Sequence, residues 1–278
     1  MICQIKIFKM TFTQKLIKIV KKNNSLLCVG LDSDIENLPE EFKAKKYPQF
    51  EFNKFIIDKT YDLVCAYKPN SAFYEAKGAK GIEELKMTVD YIKNKDSDIV
   101  IILDAKRADI GSTNKGYAKF TFDYLKADAI TLHPYLGKEA IGPFLEKADK
   151  GCIIVCRTSN SGAGEFQDLV SSGKKLYQQV ALNVVKNWNT NKNCLLVVGA
   201  TYPKELADVR KLAGDEIWFL VPGIGAQGGD VEKTVRAGQN SKGTGMIINS
   251  ARGIIFSKNP EQAGKELRDK INKYRISF

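Results

Sequence analysis

At 278 residues the chain can form one large domain or two small ones, and 44% hydrophobic with 27% charged residues suits a globular protein with a sizeable core. A formal charge of +11 raises the question of nucleic acid, but the lysines are scattered and no segment interleaves them with aromatics. A solvated lysine-rich surface is the reading, with no nucleic-acid partner expected. A positive field of this kind also helps to gather a small phosphorylated anion.

The chain opens on MICQIKIFKM, too short and too basic for a convincing signal peptide. TFTQKLIKIV, from Thr11, reads as the opening of an amphipathic helix. Met10 is therefore read as an alternative start, and residues 1–11 as a disordered or non-native beginning of a single domain spanning 1–278. Short apolar runs then follow in order: LLCVGLD (26–32), VCAYKPN (64–70), IVIILDA (99–105), DAITLHP (128–134), GCIIVCR (151–157), CLLVVGA (194–200), EIWFLVPG (216–223) and GMIINSA (245–251). Each has strand length and is bounded by Gly, Pro or Asp, as buried parallel strands are. Helical patterns lie between them at 81–94, 113–126 and 203–214. The last opens on Pro203 and closes on Gly214.

Eight strand–helix units without a break in composition predict a single (β/α)8 barrel of the α/β class. A doubly wound open sheet is the structural rival. Connection 158–174, TSNSGAGEFQDLVSSGK, reads as a long loop able to close over a ligand. Cys3, Cys28, Cys65, Cys152, Cys156 and Cys194 lie mostly in apolar runs with no C-x-x-C pair. They read as buried thiols in a reducing cytoplasm, not as a disulfide framework or a zinc site. No stretch approaches about 18 consecutive apolar residues, so no membrane span is expected.

Polar residues gather where these strands end: Asp32, Lys68 with Asn70, Asp104 with Lys106, Thr158 with Ser159, Pro222, and Arg252. In a barrel that rim carries the active site. Loops begin at strand ends and are polar anyway, but this does not explain a set so rich in Asp and Lys. The densest segment is LDAKRADIGST (103–113). Asp104 and Lys106, two apart on an extended chain, point the same way, and Asp109 follows as the chain leaves the strand. A lysine between two carboxylates is kept charged and aimed. A surface salt-bridge cluster would look alike.

The second segment is FLVPGIGAQGGDVEKT (219–234). A glycine-rich turn between strand and helix presents backbone N–H groups to an anion. Gly223, Gly225 and Gly228 formally satisfy G-x-G-x-x-G. The match falls in the seventh unit, however, and no acidic residue follows at ribose-binding distance, so dinucleotide binding is rejected. The loops after strands seven and eight of a barrel are the usual phosphate site, completed here by Gln227 and Arg252. His133, the only histidine, is given no chemical role.

LDAKRADIGST resembles the active-site segment of the orotidine 5′-phosphate decarboxylase family. VGLD (29–32), AYKPNSAFYE (66–75), CRTSNSGAGEFQDL (156–169), VGAT (198–201), VPGIGAQGGD (221–230) and NSARGI (249–254) are similar to that family too. They occur in its order from about residue 12 to the end and fit the branch with KPN, TSN and PGIGAQGG segments. The resemblance implies a cofactor-free conversion of orotidine 5′-monophosphate (OMP) to UMP by a homodimer, with no metal. It makes Lys106 the proton donor to C6 of the pyrimidine, in a charge network with Asp104, Lys68 and Asp109. It implies that Asp109 and Thr113 serve the other subunit's site. Asp32 and Asn70 match positions near the ribose, and Ser159 one near the pyrimidine. Thr158 and Pro222 belong to the same substrate-binding set. Gln227 and Arg252 match phosphate ligands, with Ala251 where several members have Gly.

Such chemistry leaves a carbanion at C6 with no adjacent carbonyl sink, and no PLP or thiamine motif is visible. The protein then has to supply on the order of 20 kcal/mol by electrostatics and remote binding energy. Two rivals remain open. One is a magnesium-dependent sugar-phosphate decarboxylase of the 3-keto-L-gulonate 6-phosphate kind. It shares the Asp-x-Lys-x-x-Asp run, but its relatives carry a carboxylate where this chain has Lys68. The other is a non-catalytic basic protein that binds RNA.

Overall fold

Val, Ile, Leu and Cys dominate the eight apolar runs, and every run becomes a strand because both of its faces meet nonpolar neighbours. The computed structural model describes residues 10–225 and 228–276. The strands are β1 Leu27–Leu31, β2 Ala66–Pro69, β3 Val100–Arg107, β4 Ala129–Leu132, β5 Gly151–Arg157, β6 Cys194–Val198, β7 Phe219–Pro222 and β8 Met246–Ser250. Each pairs in parallel with its sequence neighbours, and the ring closes where Leu27 of β1 stands opposite Ile248 of β8. This closed barrel excludes the open doubly wound sheet.

One long helix covers the outside after each strand: α2 Pro48–Thr60, α3 Gly78–Lys95, α4 Gly111–Ala118, α5 Gly137–Leu145, α6 Leu176–Asn183, α7 Pro203–Ala213, α8 Val231–Gly238 and α9 Pro260–Tyr274. Helix α1, Phe12–Asn23, precedes them. Thr11 and Gln14 cap it reciprocally, and Lys15 pairs with Asp128 at 2.8 Å to fasten it beside β4. The expectation for residues 1–11 falls largely on residues 1–9, outside the described residues. The Pro-to-Gly frame of 203–214 is realised, with Gly214 at φ 70° ending α7.

Two local departures matter. The helix expected at 113–126 is α4 followed by a wider π-helical segment, Lys119–Tyr124, in which Phe122 meets Phe144 edge-on at 6.4 Å. Connection 158–174, read as a plain loop, carries structure of its own. It holds a 3-10 turn at Ser161–Ala163, a short helix at Gly164–Gln167, and a β-hairpin pairing Val170–Ser171 with Lys174–Lys175. Gly173, at φ 73°, supplies the hairpin turn that a run of Ser and Gly had suggested as loop.

Candidate functional site

Parallel strands deliver all eight carboxyl ends to one rim, and a cavity of about 300 Å³ opens there. At its floor is a chain of charges. Lys68, almost fully buried, reaches Asp104 Oδ2 at 2.9 Å and Asp32 Oδ1 at 3.7 Å. Lys106 Nζ reaches the other oxygen of Asp104, Oδ1, at 2.7 Å. Burial disfavours the charged form of Asp104, but Lys68 and then Lys106 outweigh it and hold the carboxyl well below the usual carboxylate range. Burial likewise opposes the Lys68 ammonium, and Asp104 and Asp32 reverse the balance, raising its pKa. The Lys68–Asp104 pair therefore stays ionised on both sides of neutrality. Removing Lys68 would leave Asp104 with Lys106 alone, and removing Asp104 would leave the buried Lys68 ammonium with only Asp32 at 3.7 Å, so either change costs stability.

Lys106 is not the plain extended residue that its spacing from Asp104 implied. Its φ is +45°, in the left-handed region, and β3 shifts register against β4 between Leu103 and Arg107. Its ammonium still turns onto Asp104. Across the mouth, Asp32 Oδ1 is buried and has no hydrogen-bond partner among the described residues. Its charged neighbour is the Lys68 ammonium at 3.7 Å, and the Asp32 side chain lines the cavity with hydrogen-bonding capacity to spare. Asn70 caps the short helix Ser71–Glu75 by accepting the Ala72 N–H at 3.2 Å.

The β5 end is held by buried Arg157, which stacks on Tyr202 at 4.5 Å and donates to Asp168 at 3.1 Å and Gln167 at 3.2 Å. Gln167 in turn accepts the Thr158 N–H at 2.9 Å. The polar side chains of connection 158–174 are thereby anchored at the cavity edge. Gly199 makes room for Ser159: a Cβ there would stand 2.8 Å from the Ser159 Cβ.

At the β7–β8 side the turn after Pro222 is drawn by Gly223, Gly225 and Gly228, with φ of 109°, 88° and 79°. The Gly229 N–H closes it on the Gly223 carbonyl at 3.1 Å. Arg252 stands exposed beside it, with no ion-pair partner among the described residues. A flexible cation next to a glycine-rich turn is suited to a phosphate.

Of the residues singled out in the sequence, Asp32, Lys68, Asn70, Asp104, Lys106, Thr158, Ser159, Pro222, Ala251 and Arg252 all line this cavity. Asp109 and Thr113 do not: they follow β3 on an outward-facing segment beside Ile110, which is 61% exposed. Gln227 lies outside the described residues. His133 is also absent from the lining, and burial and then the Lys106 charge lower its pKa. Thr131, Asn160, Val197, Leu220, Ile224 and Asn249 line the cavity without having been singled out for this role, and Gly223 lines it as part of the glycine-rich turn. Inward alternation along β4, β6, β7 and β8 was the available signal for four of them. Cys28 donates to Asn249 Oδ1 at 3.5 Å, and burial pushes its thiol up to about 12. Cys65, Cys152, Cys156 and Cys194 are buried and free as well, and Cys3 lies outside the described residues. Among the described residues no three His, Cys, Asp or Glu side chains converge on a metal position, and no helix is long and apolar enough to cross a membrane.

A closed βα barrel with a lysine–carboxylate chain on one side of its mouth and an anion cradle on the other defines an enzyme of the barrel class acting on phosphorylated substrates. Residues 25–267 match the model of the orotidine 5′-phosphate decarboxylase / HUMPS family, and the chain belongs to that family. A relative from Cellvibrio japonicus, named orotidine 5′-phosphate decarboxylase, is 49% identical over 261 residues, covering 93% of this chain and 94% of its own. One of the same name from Dechloromonas aromatica is 47% identical and covers 96% and 100%. The solved structure of Leishmania donovani OMP decarboxylase is 39% identical, covers 97% of this chain and all of its own, and superposes with a TM-score of 0.86.

Proposed function

We propose that this protein is an orotidine 5′-monophosphate decarboxylase, a carboxy-lyase that makes UMP and CO2 in pyrimidine synthesis without a cofactor, in the cytoplasm. The observation that carries the reading is the Lys106 ammonium held 2.7 Å from a carboxylate that is itself fixed by buried Lys68. When the C6–carboxylate bond breaks, its electron pair stays on C6. A fixed ammonium stabilises that charge as it develops and then transfers a proton to C6. Asp104 keeps the donor aimed and carries negative charge near the departing carboxylate. Solvent afterwards reprotonates Lys106.

The remote parts of OMP have matching groups. The glycine-rich turn and Arg252, together with Gln227, bind the phosphate. The Asp32 carboxylate accepts a ribose hydroxyl, and Asn70 faces the same sugar. Thr158 and Ser159 border the pyrimidine, and Pro222 and Ala251 complete the wall. Binding energy from the phosphate side can drive closure of connection 158–174 over the base.

The working form is a homodimer with shared sites, in which Asp109 and Thr113 complete the partner's cavity. Support comes from exposure: Ile110 is 61% exposed between them, and on the next strand–helix turn Tyr135 and Leu136 are 86% and 47% exposed. Apolar groups bared together on a rim suit a subunit contact. The Asp109 side chain accepts only its neighbour's N–H among the described contacts, at 2.6 Å.

The test is the loss of OMP absorbance with EDTA present. Decarboxylation should proceed at the untreated rate. A protein inert toward OMP that decarboxylates 3-keto-L-gulonate 6-phosphate only with magnesium would overturn the reading. Lys68, a cation at the end of β2 where a metal would need a carboxylate, argues against that outcome.

A further inference from the structure

Strands β3 and β4 fall out of step at the rim. Leu103 stands opposite Ile130 and Arg107 opposite Leu132, so Asp104, Ala105 and Lys106 face a single residue, Thr131. A bulge of this kind leaves backbone groups without ladder partners, and a bulged N–H needs another acceptor if it is shielded from water. A side chain fills the gap here. The Thr131 hydroxyl oxygen accepts the Lys106 backbone N–H at 2.9 Å, and its O–H donates to Asp104 Oδ1 at 2.9 Å. One hydroxyl thus uses both of its capacities, on a side chain only 1% exposed.

The bonds form a ring. Lys106 N–H meets Thr131, Thr131 meets Asp104 Oδ1, and the same oxygen receives the Lys106 ammonium at 2.7 Å. Both ends of Lys106 are tied to one carboxylate oxygen. Among the described non-glycine residues with positive φ, only Lys106 lies within a barrel strand. L residues rarely adopt that conformation, and it persists where surroundings over-determine it.

We infer that Thr131 is a positioning residue: its hydroxyl holds the Lys106 backbone in the left-handed conformation and thereby aims the ammonium at Asp104 and the cavity. Without the hydroxyl, the Lys106 N–H loses its partner. The backbone then relaxes toward the extended form, and the Cα–Cβ direction swings away from the reacting atom. The inference rests on the decarboxylase reading for its kinetic consequence, but its structural half does not.

Thr131→Val keeps the β-branched shape and removes only the hydroxyl's bonding, while Thr131→Ser keeps the bonding and trims a methyl group. With OMP as substrate, Val should lower kcat about a hundredfold, as a displacement near 1 Å of a catalytic group can. KM and UMP affinity should stay within about threefold, because neither depends on the ammonium's aim. Ser should restore kcat to within about fivefold of wild type. A crystal structure of the Val variant should show Lys106 with negative φ. Val keeping kcat within about fivefold, or Ser as impaired as Val, overturns the inference and assigns Thr131 to packing. Should Val fail to fold, Thr131→Cys, with its weaker hydrogen bonds, should lose kcat at unchanged Tm, and full activity in Cys overturns the inference equally. If the wild-type protein leaves OMP intact, the functional reading fails alone. Lys106 keeping its positive φ in the Val crystal would then overturn the structural half.

Discussion

On the β2–β4 side of the mouth, Lys68, Asp104 and Lys106 are paired with one another at 2.9 and 2.7 Å, with Thr131 closing the last gap. On the β7–β8 side, Arg252 stands exposed beside a turn of glycines, without an ion-pair partner among the described residues. One side is finished and the other is waiting. The difference separates two tasks of a catalyst. Groups that act on developing charge work best when no reorganisation is left to do. Groups that capture a dianion work best when the ligand supplies the charge they lack, so that its binding energy is released on arrival.

Lys106→Ala strikes the finished side and should have the largest effect. It should lower kcat at least about a thousandfold, roughly 4 kcal/mol of transition-state stabilisation, while UMP binding by titration stays nearly intact. A variant retaining a larger share of kcat would deny Lys106 its role, and a matching loss of UMP affinity would erase the division of labour.

Arg252→Ala strikes the waiting side. It should cost about a hundredfold in kcat/KM on the nucleotide, since a bond to a charged group contributes up to about 3 kcal/mol, and little on the phosphate-free nucleoside. Equal losses on the two substrates would remove the phosphate from Arg252.

The smallest signal asks whether the finished side draws on a second chain. Lys106→Ala and Asp109→Asn, each inactive alone, should regain roughly a quarter of wild-type activity when their subunits exchange, because half of the dimers are then hybrids with one intact site. Hybrids confirmed by native mass spectrometry but inactive would confine Asp109 to its own barrel.

Much of this was legible because buried parallel strands leave a strong mark. Runs such as IVIILDA are apolar on both faces, and each of the eight expected strands is found within its run or slightly beyond it. Residues that break such runs at their ends, Lys68 and Asp104 among them, advertised the rim. Thr131 was missed for the converse reason: inside DAITLHP a threonine is an ordinary strand former, and its hydroxyl gains meaning only from the slip between β3 and β4. Lys106 carried no sign of its left-handed backbone, since the cause is a pairing made with another strand. Connection 158–174 hid its hairpin because Ser and Gly serve turns and loops alike. The role proposed for Asp109 and Thr113 in a second chain left no mark in periodicity, and in the sequence only the family resemblance suggested it.

The seam between β1 and β8 has a consequence for synthesis. Asp32 lies just after β1 and Arg252 just after β8, more than two hundred residues later in synthesis, yet the two flank the same cavity. A nascent chain that ends before β8 has β1 and β7 as open edges, each a template for pairing with another chain, and lacks the arginine altogether. On the proposed reading the site is complete only once the barrel has closed, and a product truncated before β8 is expected to be both idle and prone to aggregate.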